Sequence, residues 1–466
     1  MLSKYMFYSS VTIRRGFTLE EALQMVFSDD IDEIYIEPPD AAILTDEDSG
    51  EEDGGGVIDN LSGAQLRAPA EVILHNNERI GGDDQLLNAE DKIVVQNNSS
   101  QPLLVQLEKP NWCQGDLQPP NSNFQAGTYV QYKHLTPTQF FEKFIDDDVI
   151  QLLLEETSKY ALFRNCADPK VSKEEMRCFI GILVLSGYNE LPSKRHYWDI
   201  DSDMRNELVY KSMRRARFLQ ISKFLHFADN NKPDLTDKIW KLRPIMDKVK
   251  QTFLHYFEPE ENLCYDESMV KYFGRHSCKQ FIRGKPVRFG YKIWCLNTPS
   301  GYLTNFEMYQ GNNPRRSPVY EKLFGKASAQ LVTMLDELKA LKGTQPYKLY
   351  FDNLFTGMTL LKYLRDNNYE GTGTIRENRV PKGCPLTNKK AIGKRPRGTY
   401  ESTLDKANGI ILVRWVDNGV VTTASTCFGT QPLNQVKRYS QSEKKLFMYH
   451  DHISSANTIR QWGAQT

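Results

Sequence analysis

After residue 257 the chain runs through strands and helices in an order that few folds accommodate. "NLCYDESMV" reads as a strand, "RFGYKIWCLN" as a second and "YLTNFEMYQ" as a third, with "TPSG" as a hairpin turn between the last two. "SAQLVTMLDELKALKG" then changes to a helical period, with Leu331, Leu335 and Leu338 on one stripe and Gly343 at the C-cap position. "YKLYFDN" is a fourth strand, "TGMTLLKYLRDNN" a second helix and "YEGTGTIR" a fifth strand. Asp266 lies inside the first of these strands and Asp352 ends the fourth.

The order β-β-β-α-β-α-β, with acids at those two places, is that of an RNase H-like nuclease core. If strands one and four are neighbours, the two carboxylates converge at one edge of the sheet. Paired carboxylates hold the Mg²⁺ ions that phosphoryl transfer on DNA requires. Each Asp taken alone reads equally as a strand-end or capping residue. The reaction also needs a third carboxylate to complete the metal cage.

The stretch from Leu135 to about Phe257 is helical in period, with Phe140, Phe141, Phe144, Ile150, Leu153 and Leu154 forming one apolar stripe. Ser172 with Glu175 three residues on is a capping box that opens another helix. "KSMRRARFLQISKFLHFAD" places Phe218, Ile221, Phe224 and Leu225 inward and Lys211, Arg214, Arg215 and Arg217 on another face. That basic edge suits phosphates, or is simply a solvated helix face. Near the start, Thr18 and Glu21 predict a short helix over 17–27.

Net charge is zero, yet charge is unevenly placed. Ser28 to Asn60 holds thirteen Asp or Glu and no Lys or Arg, whereas Arg376 to Arg397 holds eight Lys or Arg and one Glu. The acidic, Gly-rich "DEDSGEEDGGG" buries too little apolar surface to order itself, and disorder is expected from there to about Gly127. An acidic flank beside a basic body suggests a polyanion partner. "KKAIGKRPR" (389–397) suits either a nuclear localisation signal or a loop facing phosphates. The eight cysteines include no C-x-x-C pair, so no zinc module is expected. No run of about 18 apolar residues occurs, which points to a soluble intracellular chain. The stretch "TYESTLDKANGIILVRWVDNGVVTTAST" reads as a meander with turns at "ANG" and "DNG". The tail from Gln431 is polar and weakly patterned.

"YDESMVKYFGRHSCKQFIRGKPVRFGYKIWCL", "YQGNNP", "LYFDNLFTGMTLLKYL" and "GTGTIREN" resemble the piggyBac transposase family, including its transposable element-derived proteins. The likeness covers roughly residues 130–445, with several long blocks in the same order. It implies a DDE/DDD nuclease that cuts and joins DNA in the nucleus, uses Mg²⁺ and assembles as a homodimer. The implied fold is α+β and multidomain, an acidic disordered region followed by a helical domain and an RNase H-like core with a β-rich insertion. The corresponding boundaries are 1–127, a helical dimerisation and DNA-binding domain over 128–257, the first part of the core over 258–376, the insertion over 377–430 and a divergent tail over 431–466.

Carried over by position, Asp266 and Asp352 match the first two catalytic acids and metal ligands. The family's third Asp lies in a "GGVD"-type helix beyond the segment matching Arg438–Lys445, and here the sequence reads "LFMYHDHISSANTIRQWGAQT" instead. Asp451 lacks that Gly-Gly-Val context, and Asp405 and Asp417 read as turn residues. The family's C-terminal zinc module has no counterpart either. Expected phosphate contacts are Arg214, Arg215 and Arg217 on the helical edge, and Lys271, Arg275, Lys279, Arg283, Lys285, Arg288 and Lys292 on the core. The expectation is thus a DNA-binding protein with an incomplete nuclease site and no membrane or small-molecule partner. The alternative is an active, cut-and-paste DNA transposase whose gene model or isoform is truncated before the third Asp.

Overall fold

The computed structural model describes strands 17–18, 31–36, 69–74 and 79–80, residues 105–118, and the strand pair 434–440 and 445–451. It also describes residues 123–431 apart from 202, 273, 275, 282–286, 288 and 418. Between residues 137 and 256 the chain is helical, and caps decide where each helix begins. Helix α1 (Pro137–Phe144) opens on a Thr136–Gln139 capping box, and α2 (Asp147–Phe163) on Asp146, whose carboxylate accepts from Val149 N at 2.9 Å. That cap breaks the apolar stripe expected to run unbroken through this stretch. Ile150 and Leu153 are buried, whereas Phe140 and Phe141 on α1 are exposed. Helix α3 (Lys173–Ser186) starts on the predicted Ser172–Glu175 box. The next expected helix is divided at Met213 and Arg214 into α4 (Glu207–Ser212) and α5 (Arg215–Phe224). Phe218 and Ile221 of α5 pack with Val149, Phe179 and Trp198 into one apolar cluster. Helix α6 (Arg243–Tyr256) leads into the sheet.

Ten strands form one mixed sheet. Its centre is β6 (Asn262–Lys271), β8 (Phe289–Asn297), β9 (Leu303–Met308), β10 (Lys348–Phe351) and β11 (Glu370–Thr374). The spatial order is β9-β8-β6-β10-β11, with β8 antiparallel to β6 and β9, and β10 parallel to both β6 and β11. The expected strand sequence is therefore present, with strands one and four adjacent. A short β7 (Lys279–Phe281) pairs with β8. Leu263, Tyr265, Leu349 and Phe351 point to one face. They pack there in a single core cluster with residues of α8 (Lys326–Lys342) and α9 (Met358–Asp366). Helix α7 (Pro318–Phe324), ahead of α8, was not evident in the sequence. Gly301, at φ +91°, closes the predicted "TPSG" turn through its N–H to Thr298 O at 3.0 Å.

Two sequence-based expectations need correction. The meander β12 (Tyr400–Asp405), β13 (Ile410–Val416) and β14 (Val420–Ser425) forms as read, and its β14 pairs with β11 and extends the central sheet. On its outer edge β12 pairs with β5 (Trp112–Cys113), inside the stretch expected to lack order. Phe17–Thr18, expected to open a helix, is strand β1, and it pairs with β3 (Pro69–Leu74). Strand β3 also pairs with β2 (Ile31–Ile36) and β4 (Arg79–Ile80). The rest of 17–27 lies outside the described residues. The alternation in "IDEIYI" and "PAEVIL" supplies the apolar contacts that acidic composition alone disguised, with Ile34 and Val72 buried. Within the tail, β15 (Asn434–Ser440) and β16 (Lys445–Asp451) form an antiparallel pair.

Candidate nuclease site and basic surface

Parallel pairing between β6 and β10 sets Phe351 against Tyr265. Asp352 and Asp266 each follow this last pair by one residue, and the register continued by one step sets them side by side, about one strand spacing of 5 Å apart. Asp266 stands midway along β6, where its pairing with β10 ends, and Asp352 directly follows β10; by alternation Asp266 faces away from the core side that Tyr265 fills. Asp266 is cross-strand to Cys295. Its charge is felt by Cys295 and by Cys264 two residues back: burial first, then Asp266, pushes both thiols up to about 12. These cysteines stay protonated and are not nucleophiles.

Local backbone bonds orient both carboxylates. Asp266 Oδ1 accepts from Glu267 N at 2.8 Å, and Asp352 Oδ1 accepts from Leu354 N at 2.7 Å. The turn after Asp352 is then clamped from β11's far end. Arg379 Nη1 donates to the carbonyls of Asn353, Leu354 and Thr356 at 3.0, 2.9 and 3.0 Å, and Arg376 Nε reaches Asn353 Oδ1 at 3.4 Å. Gly373 lets this turn lie against β11, since a Cβ there would collide with Phe351 O and Thr356 Oγ1. Sequence inspection passed over Arg376 and Arg379. Their spacing just past a strand end was the available signal.

Two carboxylates at this spacing fit one Mg²⁺, an ion that commonly takes one or two protein carboxylates and completes its shell with water and phosphate oxygens. Among the described residues no group of three or more His, Cys, Asp or Glu is placed to share a metal ion. Other acids of the meander are engaged elsewhere. Asp405 is fully buried and accepts from Asn111 N at 3.0 Å and Asn408 Nδ2 at 2.7 Å, while Asp417 is paired with Arg397. Asp417 lies in a turn as expected, whereas Asp405 ends β12 and accepts from Gly409 N at 2.8 Å across the turn that follows. The side chain of Asp451 lies outside the described residues.

The predicted phosphate contacts divide. Arg214 and Arg215 are exposed at the start of α5, and Lys271 is exposed at the end of β6. Arg217 is instead a staple, donating to both oxygens of Glu175 at 2.7 and 2.6 Å and to the Pro169 carbonyl at 2.9 Å. Lys279 and Lys292 are 2% and 5% exposed, with their ammonium groups 5.1 Å from the Phe289 ring centre and 4.1 Å from that of Trp294. Burial lowers the Lys279 pKa. Neither lysine reaches a duplex laid on this surface, so both are corrections to the sequence expectation, as is Arg217. Arg275, Arg283, Lys285 and Arg288 lie outside the described residues.

A large mixed sheet with packed helices defines a mixed α+β fold, and residues 136–463 match the family model described as Transposase IS4. The chain belongs to the piggyBac transposable element-derived protein family of IS4-like DDE transposases. It is 37% identical over 456 residues to human PiggyBac transposable element-derived protein 3, covering 92% of this chain and 74% of that one. With human PiggyBac transposable element-derived protein 2 it shares 35% over 423 residues, 90% of this chain and 69% of the relative. In fold it is similar to piggyBac transposase, solved by cryo-EM as a synaptic complex with hairpin DNA. The TM-score is 0.55 at 21% identity, covering 73% of this chain and 69% of that one.

Proposed function

We propose that this chain is a DNA-binding protein on an RNase H-like core, whose Asp266–Asp352 pair holds a single divalent cation weakly and does not cut strands. The β6–β10 register carries the cation site, and the engagement of the meander's acids in turns and ion pairs carries the absence of cutting. Mg²⁺ is the cation that suits two carboxylates and phosphate oxygens. Strand cleavage in this chemistry uses a fuller cage, and the acids of the meander are engaged in turns and ion pairs of their own. Exposed Arg214, Arg215 and Lys271 suit phosphate contacts, and the solved relative was captured on hairpin DNA. Nuclear residence follows from a DNA partner.

An anisotropy titration of a labelled duplex across salt concentrations tests the proposal. Affinity should fall linearly with the logarithm of salt, and the duplex should be recovered at full length after incubation with Mg²⁺. Absence of binding at low salt would overturn the DNA-binding half, and shortened product would overturn the other. The second reading, an active transposase, is favoured by the in-register acids, and it predicts the shortened product.

A further inference from the structure

Following the register outward from Asp352 leads to a folded loop whose lysines have no role in the site. Strand β11 runs parallel to β10, and β14 antiparallel to β11. The start of β14, the end of β13, the start of β12 and both ends of the 376–399 segment therefore lie at the same end of the sheet as Asp352. Within that segment a single helical turn, α10 (Lys389–Ile392), sits on β14. Ile392 is fully buried, and a Cβ on Gly393 would lie 3.1 Å from Val420 Cγ2. From β10 to β14 is two strand spacings, about 10 Å sideways, and Val420 lies about 10 Å further along the strand direction than the level of Asp352.

The arginines and acids of this region are used up in holding the loop. Glu401 accepts from Thr387 N and Oγ1, each at 2.9 Å, and from Arg395 Nη1 at 2.5 Å. Arg397 pairs with Asp417. Arg414, only 1% exposed, donates to Thr387 O at 2.6 Å and to Glu377 Oε2 at 2.5 Å. The lysines are treated differently. Lys382, Lys389, Lys390 and Lys394 are exposed, and no carboxylate among the described residues forms an ion pair with them. A loop anchored by Ile392 and three arginine–carboxylate pairs thus presents four uncompensated positive charges on the acid-bearing end of the sheet.

We infer that Lys382, Lys389, Lys390 and Lys394 form a preset track for the phosphates of a DNA duplex that passes over the Asp266–Asp352 edge. This rests on the DNA-binding proposal above and names the surface responsible. The anchoring also argues against the other use of such a basic run, because an import signal is read as an extended peptide, whereas Ile392, Glu401 and Arg414 hold this segment folded. A backbone held in place loses less freedom on binding, and each phosphate the lysines neutralise releases counterions.

The test compares the full chain with a variant carrying Lys→Gln at all four positions and another carrying Lys→Arg, by anisotropy on a duplex at several salt concentrations. The glutamine variant should keep its thermal midpoint, since these side chains are exposed. It should bind roughly tenfold to a thousandfold more weakly near 0.1 M salt, with the log–log salt slope reduced by about 3 to 4, while the arginine variant binds like wild type. If wild type itself shows no salt-dependent binding, the DNA-binding proposal fails first. If wild type binds and the glutamine variant keeps affinity and slope, this track alone is refuted. Loss of nuclear accumulation of a fluorescent fusion, with DNA affinity unchanged, would assign the lysines to an import receptor and refute it too.

Discussion

Replacing Arg243 by methionine removes the cation at the centre of a buried network that ties the helical region to β9. Arg243 Nε donates to Asp237 at 2.7 Å and Nη1 to Glu307 at 2.8 Å, and all three side chains are under 10% exposed. Burial works against the guanidinium's charge, but the hydrogen bonds and charges of Asp237 and Glu307 outweigh it and raise its pKa above the ordinary arginine value. Methionine fills much of the volume and leaves two buried carboxylates. Glu307 keeps Asn313 Nδ2 at 3.2 Å and Lys250 at 3.9 Å, and Asp237 keeps Ile239 N at 3.1 Å. Breaking one side of a buried pair costs about 3–5 kcal/mol, and the lower end applies here because Lys250 compensates in part. At about 2.1 cal/mol/K per residue over roughly 300 residues, each kcal/mol shifts the thermal midpoint by about 1.5 °C, so it should fall by roughly 5 °C. Urea denaturation at pH 7 measures the loss directly. Adding Glu307→Gln should restore part of it, because the stranded charge is then gone. A loss under about 1 kcal/mol with no rescue would refute the network's structural role.

Arg217→Gln should lower stability by about 1 kcal/mol, read by urea midpoint, and leave duplex affinity unchanged, whereas Arg214→Gln with Arg215→Gln should weaken binding without affecting the midpoint. His276, half-buried beside Tyr291, has its pKa lowered to about 4, by desolvation first; a backbone hydrogen bond at Lys238 works against this, and the charges of Lys241 and Lys238 add to it. It is neutral in the fold, so the unfolded chain takes up the proton first and stability is lost as pH falls from about 6.5 towards 4. Between pH 7.5 and pH 5 this should amount to about 2 kcal/mol, and His276→Asn should remove that part of the urea-midpoint profile. Arg379→Ala should release the turn after Asp352. We expect a loss of about 2–3 kcal/mol and weaker Mn²⁺ binding by electron paramagnetic resonance, with Arg379→Lys recovering part of both.

Much of the central sheet was legible because its strands are dense in β-branched and aromatic residues and its helices carry clear periods. "YKLYFDN" could hardly be anything but a buried strand ending on an acid, and its placement beside β6 follows from strand order. The capping box at Ser172 was legible for the same reason, since both partners lie within three residues. What failed depended on distant partners. Arg217 belongs to Glu175, 42 residues away, and the sequence shows its charge but not that bond. Lys279 and Lys292 alternate with aromatics along strands, which suits a basic face or a buried cation over a ring equally well. The lysine loop was visible as charge, but its place at the acid-bearing end emerged only from strand directions.

Incubating supercoiled plasmid with this 466-residue chain and Mg²⁺ or Mn²⁺, beside Asp266→Asn and Asp352→Asn, tests the central claim most directly. Wild type should leave the plasmid supercoiled to the same extent as both variants, while still retarding it on a gel at low salt. Nicked or linear plasmid that appears with wild type and vanishes in Asp266→Asn would contradict the account and make the pair a working nuclease centre.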